Sequence, residues 1–409
     1  MKKRRPNMNF KKAIAMGTLI TLTVVNGSIY TFAVGSTTVS NAERINIGIL
    51  SEKEQKLFKL TLKEAIDYAL EHNKDISIQD IKIEKQQFEY DQNMRDIKKY
   101  DNSEKGAMDY PPAIYPAVTP EKPVNERLYE VGAVQRHIDF TLQQVKKDKE
   151  KLINDITNNV RKAYYDLLLK EEEKNIAEEN LKLAQEQYKK NKLMLENGQI
   201  SEHQLLMANM SVTQAKSTYE AAKVMYEVQL LNFNSTLGME LDTQVVLVDK
   251  ITVPEYEAID LEKSIESALK DNKTLKAAKE NYEIQKIILE ALSIKYPNIT
   301  YKYKEQQMAI EEAEKNLRSA EVLIEMGLRS AYSNLTSVRD NIEIYQESIK
   351  LAERSLEIAE LNYELGMNTI NDVAEARISL MNAKKSYMGH LHQYHTALIN
   401  FQDSMGVTK

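Results

Sequence analysis

Three histidines, His390, His392 and His395, fall within six residues near the C-terminal end of the sequence. A metal ion would want two ligands at helical spacing together with an acid. His392 and His395 are three apart, but no carboxylate accompanies them in the sequence, and His390 falls on another side of a helix. They read as ordinary helix-surface histidines, so no metal and no cofactor is expected. The other signatures of chemistry are missing too. There is no Gly-rich phosphate loop, no G-x-S-x-G elbow and no H-E-x-x-H. Zero cysteines remove thiolate catalysis, Cys-ligated zinc and disulfides together. With no nucleophile–base pair to stand on, the chain is not expected to be an enzyme.

Two short stretches are better candidates for recognition. Asn197–Gly198–Gln199–Ile200–Ser201 and Leu365–Gly366–Met367–Asn368–Thr369–Ile370 each set a glycine between long helical patterns. Glycine there supplies the positive φ that ends a helix, and that role alone would explain it. Partner docking is the sharper alternative, favoured by Ile200, Met367 and Ile370 at a tip expected to be exposed.

The elements that must position these residues follow from composition. Of 409 residues, only 12 are Gly and 8 are Pro, well below ordinary usage, and turn formers are that scarce only when turns are few. The fold class predicted is all-α: long antiparallel coiled-coil hairpins in two repeats, with at most one or two short strands. A net charge of −6 implies no broad attraction to nucleic acid.

The N-terminus reads as an address. Lys2, Lys3, Arg4, Arg5, Lys11 and Lys12 precede an apolar run over 13–34, and Ala33–Val34–Gly35 offers a small-residue cleavage site. Asn26 and Gly27 interrupt that run, so export with cleavage is preferred over a retained anchor. The organisation predicted is a signal peptide at 1–35, a linker at 36–58, repeat one at 59–238, a linker at 239–258 and repeat two at 259–406.

The repeat is legible in the residues. Leu62, Ile66, Ala69, Leu70, Asn73 and Lys74 recur as Leu261, Ile265, Ala268, Leu269, Asn272 and Lys273. Further on, Ala163, Tyr164, Leu167, Gly198, Ala208, Ala215, Tyr219, Tyr226, Phe233 and Gly238 recur 168 positions later, through Gly366 to Gly406. The first half therefore holds extra residues, and five prolines from Pro111 to Pro123 mark them as an irregular insert at about 101–124. Each half reads as a short helix, a break and a long hairpin. Tyr345, Ile349, Ala352, Leu356, Ala359 and Tyr363, then Val373, Ala376, Leu380, Ala383 and Tyr387, trace a heptad seam. Helices are predicted from about Asn125 to Glu196 and from Lys304 to Leu365.

The stretch from Tyr363 to Gly406, its looser partner from Leu195 to Gly238, and the opening LTLKEAIDYALEHNKDI resemble the outer-membrane efflux protein (TolC) family. The spacing Gly–x5–Asp–Val–x2–Ala with the downstream tyrosines and terminal Met–Gly carries the likeness, which spans about residues 60–406. The resemblance implies a homotrimer whose hairpins form a helical export tunnel. It also implies that the tips, Gly198 to Ser201 and Gly366 to Ile370, meet a membrane-fusion adaptor of an inner-membrane pump. Asp372 and Glu375 fall where that family places acidic constriction residues, with Gln204 at the first-half position. Three copies would ring the axis with carboxylates, a negative field that favours cations and can hold a multivalent one.

One departure is expected. The family inserts a strand pair in each half to build a membrane barrel, and a spanning strand needs about 9–11 alternating residues. Here the second-half site is only Tyr296 to Lys304, room for one short strand, and the first-half site is the proline window. The barrel is predicted absent or vestigial, with membrane contact weak or through partners, in the envelope of a cell that need not have an outer membrane. The rival function is a non-conducting coiled-coil rod at the cell surface. The adaptor itself is disfavoured, because the Gly- and Val-rich strands of adaptors are missing.

Overall fold

The computed structural model describes residues 57–102, 122–253 and 259–406. The predicted signal peptide, most of the first linker and nearly all of the proline-rich insert lie outside the described residues.

The first repeat opens with β1 (Phe58–Leu60) and α1 (Leu62–His72). Thr61 caps α1 in a reciprocal box with Glu64, satisfying two amides that the helix itself leaves unpaired. Asn73 breaks the helix, and its Oδ1 accepts from the Asp75 amide at 2.8 Å to start α2 (Lys74–Asn102). The second repeat does the same with other side chains. Asp260 caps α6 (Leu261–Asp271), and Asn272 caps α7 (Lys273–Ser293), accepting from Thr274 and Leu275. The recurrence of Asn73–Lys74 as Asn272–Lys273 thus has a local cause: each asparagine restarts a helix.

Two 64-residue helices, α4 (Ala133–Glu196) and α8 (Tyr301–Glu364), dominate the chain. At 1.5 Å per residue each is about 96 Å long. Each turns back on a shorter partner, α5 (Glu202–Leu237) and α9 (Ile370–Ser404). The hairpins sit side by side with α4 against α9, giving the lateral order α5–α4–α9–α8. Toward the other end of the long helices, α2 covers α4 and α7 covers α8.

Two expectations need correction. The helix predicted from about Asn125 is divided: α3 (Lys122–Glu130) ends before Gly132, whose φ of 74° starts a new segment at Ala133. The short strand allowed at Tyr296–Lys304 is a turn and a helix start. The Lys295 and Tyr296 amides donate to the Leu292 carbonyl, the Thr300 amide donates to Pro297, and α8 begins at Tyr301. Pro297 cannot extend α7, and Thr300 takes the extended backbone of an N-cap. Strands occur elsewhere: β1 pairs in parallel with β2 (Val245–Leu247), Phe58 opposite Val245 and Leu60 opposite Leu247.

That pair belongs to the core at the base of the first hairpin, where Tyr164, Leu167, Phe233 and Leu237 are buried with Ala65 and Ala69 of α1. The Tyr164 hydroxyl lies 3.1 Å from the Leu60 carbonyl and 2.8 Å from Asp249 Oδ2, which also accepts from the Leu62 amide at 2.8 Å. Burial, then the Asp249 carboxylate beside it, push the hydroxyl well above the usual tyrosine range. One buried side chain therefore ties the strand pair, α1 and α4 together. The second repeat has its own core of Leu328, Leu335, Leu391, Tyr394 and Phe401 under α6.

Candidate functional site at the hairpin turns

Both hairpins turn by the same backbone device. In the first, the Gly198 amide donates to the Leu195 carbonyl at 2.9 Å and the Gln199 amide to Met194 at 2.8 Å. In the second, the Gly366 amide donates to Tyr363 at 3.0 Å and the Met367 amide to Asn362 at 2.8 Å. This is the Schellman pattern, and both glycines sit at positive φ, 72° and 73°, where a side chain is strained. Ser201 and Gln204 then form a reciprocal capping box on α5, as Thr369 and Asp372 do on α9. Glycine, cap and box recur because a tight return needs each of them.

The sequence-predicted acids lie just past the second turn. Asp372 Oδ2 accepts from the Thr369 amide at 2.6 Å and from its hydroxyl at 2.8 Å. These bonds, backbone first, hold the Asp372 carboxyl below the usual carboxylate range. Glu375 follows three residues on, so the two carboxylates share one exposed helix face. Gln204 occupies the matching place in the first box and carries no charge. The arrangement can present negative charge to solvent or to a neighbouring chain, on a helix start whose dipole favours it.

Among the tip residues, Gly198, Gln199, Ser201, Gly366, Met367 and Thr369 are exposed, and Ile200 and Asn368 are half-buried. Ile370 departs from the expectation of an exposed apolar. It is buried with Val373, Leu356 and Tyr363, in a cluster that also takes in Ala208, Tyr188 and Met207 of the first hairpin. The exposed large apolar side chains at this turn are Leu365 and Met367, and Ile370 is not among them.

Arg377 is a feature that the heptad reading passed over. It lies in α9 on the face of Val373 and Leu380, is 5 % exposed, and its guanidinium donates to the Ser211 hydroxyl of α5. Burial lowers its pKa from the ordinary guanidinium value. The spacing 373–377–380 was the available signal, but an arginine in a seam of alanines is easily assigned to solvent.

The histidines also differ from their sequence reading. His392 Nε2 lies 2.6 Å from Asp166 of α4, so a carboxylate does accompany it, brought from 226 residues away. His395 is buried, stacks on Tyr165 at 4.1 Å and sets Nε2 2.9 Å from the Thr252 carbonyl. His390 stacks on Tyr345 at 3.7 Å. Burial pushes His390 and His395 below the usual imidazole value. These rings join helices, a role their positions in the sequence do not reveal. Among the described residues, no group of His, Cys, Asp and Glu could hold a metal ion, and no helix is long and apolar enough to cross a membrane.

No curated protein matches the sequence. Among solved structures, the Campylobacter jejuni CmeC outer membrane channel is 16 % identical, with a TM-score of 0.62 over 84 % of this chain and 85 % of that one. The outer membrane protein VceC of Vibrio cholerae is 12 % identical, with a TM-score of 0.61 over 84 % of this chain and 96 % of its own. The open-state MtrE outer membrane channel of Neisseria gonorrhoeae is 12 % identical, with a TM-score of 0.63 over 84 % and 88 % of the two chains. Residues 299–407, which hold Asp372, Glu375 and the second turn, match the outer membrane efflux protein family, and the chain as described has the fold of these channels.

Proposed function

We propose that the chain is the duct subunit of a cell-envelope efflux or secretion assembly, a homotrimer whose hairpins form an export tunnel and whose turns dock a membrane-fusion adaptor of an inner-membrane pump. The observation that carries this is the inequality of the two turns. They share one backbone, yet only the second, within the segment matching the efflux family, puts two carboxylates on an exposed helix face. In a ring of three copies, Asp372 and Glu375 would line the narrow end and favour cations over anions. The exposed Leu365 and Met367, with Gln199 and Ser201 of the other turn, supply the adaptor contact.

The test is export of a labelled cargo from cells carrying the chain, with and without a trivalent cation. Asp372→Asn combined with Glu375→Gln is expected to abolish the cation's block and leave assembly intact. Block unchanged in the double variant would remove the constriction from these residues.

A second reading, a non-conducting surface rod, draws on one observation. Where the second repeat would need membrane-spanning strands, residues 294–300 are a short turn between α7 and α8. The duct reading accommodates that turn if the chain works in the envelope without a barrel of its own. Export, measured directly, separates the two.

A further inference from the structure

Where the two hairpins meet near their turns, α9 carries a positive charge into the interface. Arg377 is 5 % exposed and shares a helix face with the buried Val373 and Leu380. From α5, Ala208 is buried in the same apolar cluster as those two residues. A guanidinium keeps its charge at any ordinary pH. Out of water, such a charge is costly unless an opposite charge stands beside it. The chain meets that requirement at other arginines: Arg127 pairs with Glu290, Arg136 with Glu280 and Arg329 with Glu262. Those three side chains are each more than a third exposed, where the need is smaller.

Arg377 has no such partner. Among the described residues no carboxylate lies within 4 Å of it, its Nη2 donates to the uncharged Ser211 hydroxyl, and its buried Nε donates to nothing. Glu360, half-buried on α8, attracts the guanidinium but makes neither a hydrogen bond nor an ion pair with it. The repeat does not call for the charge either. Asn209, 168 residues earlier, is neutral and exposed, and Ser379, the counterpart of Ser211, is exposed as well. The arginine and the hydroxyl were therefore brought together once, between α9 and α5.

We infer that Arg377 and Ser211 form a binding site for a compact monovalent anion of the chloride class. The Nε–H of Arg377 donates to the ion. The Ser211 oxygen already accepts from Nη2, so its own hydrogen is free to turn to the same ion. One guanidinium balances one charge, whereas a dianion would bring an unmatched charge among the same apolar side chains. Size points the same way: at 5 % exposure the guanidinium is beyond the reach of a side chain from another molecule, but not of a small ion. Both residues belong to one copy of the chain, so the site stands whether or not the chain forms a duct.

The test is the stability of the purified full chain to urea, in chloride and in gluconate at one ionic strength. Gluconate is too large for the site, so chloride should raise the urea midpoint, and the rise should saturate. Arg377→Met removes the charge and keeps an apolar side chain, and it should lose the difference between the two salts. If that variant does not fold, Ser211→Ala takes its place. Having lost one donor to the ion, it should need about tenfold more chloride for half the effect. Crystals of the full chain soaked in bromide should show an anomalous peak within hydrogen-bond reach of Arg377 Nε. Equal midpoints in the two salts, with no bromide peak at Arg377, would overturn the site. So would a chloride effect that survives in Arg377→Met or is unchanged in Ser211→Ala, because the ion would then act elsewhere. Glu360→Gln closes the remaining route: if that variant gains a chloride dependence that the native chain lacks, Glu360 is the counter-charge and the site is refuted.

Discussion

At the first hairpin turn, Glu202 opens α5 in solvent and Leu205 behind it is half-buried, whereas at the second turn their counterparts Ile370 and Val373 are buried under α8 and the first hairpin. Tyr363, the counterpart of Leu195, is buried there too, and Lys190 and Glu364 pair across α4 and α8. The two returns thus share glycine, cap and box but differ beneath. The residues that open the second return are buried against the first hairpin, whereas those that open the first are exposed or half-buried. The acids of the candidate constriction sit on the second return, where packing fixes the helix that carries them.

The difference is most exposed to test at Ile370. Ile370→Ala should cost about 2 kcal/mol or more through the lost burial and the gap it leaves. Glu202→Ala should cost no more than about 1 kcal/mol, the worth of an acid at a helix start. Urea unfolding of the two variants decides it, and equal losses would show that the undersides are not packed differently.

The shared backbone should give the opposite outcome. Gly198→Ala and Gly366→Ala each force a side chain to positive φ with no atom within 4 Å to collide with. Each should therefore cost the same, about 1–2 kcal/mol, from backbone strain alone. Unequal costs in the same assay would mean that one glycine does more than turn the chain.

The smallest effect should be that of acid. Asp372 is held below the ordinary aspartate value of 3.8 by its bonds to Thr369. A carboxyl with a lowered folded pKa adds stability that is present above its unfolded value and is lost as pH falls through the folded one. The Thr369 amide should then lose hydrogen-exchange protection on acidification below about pH 3.8, while the Ser201 amide, which donates to Gln204, should not. Asp372→Asn should erase the contrast, and an unchanged contrast in that variant would place the titrating group elsewhere.

How much of this could be read in advance varies by feature. The turns were legible because glycine, cap and box act over three to six residues. The duplication was legible because it is a comparison of letters. The sidedness of the helices was not. Arg377 stands one residue past the seam position Ala376, where a polarity pattern assigns it to solvent, yet it is buried and meets Ser211 of α5. His392 gained its carboxylate from α4, and β1 found its partner nearly two hundred residues away. The Tyr296–Lys304 alternation suggested a strand, but among the described residues no strand lies beside it, and Pro297 with Thr300 began a helix.

The sequence by itself determined the long helices, their caps, their two returns and the repeat, because helical hydrogen bonds and caps join residues close along the chain. Tertiary structure decided which face of each helix is covered. Ile176 and Ile344 are the same residue at the same place in the repeat, and one is buried while the other is bare. Nothing in the local sequence separates them. The difference comes from the neighbour that α4 has and that α8, among the described residues, lacks, and a neighbour is a property of how the whole chain is arranged in space.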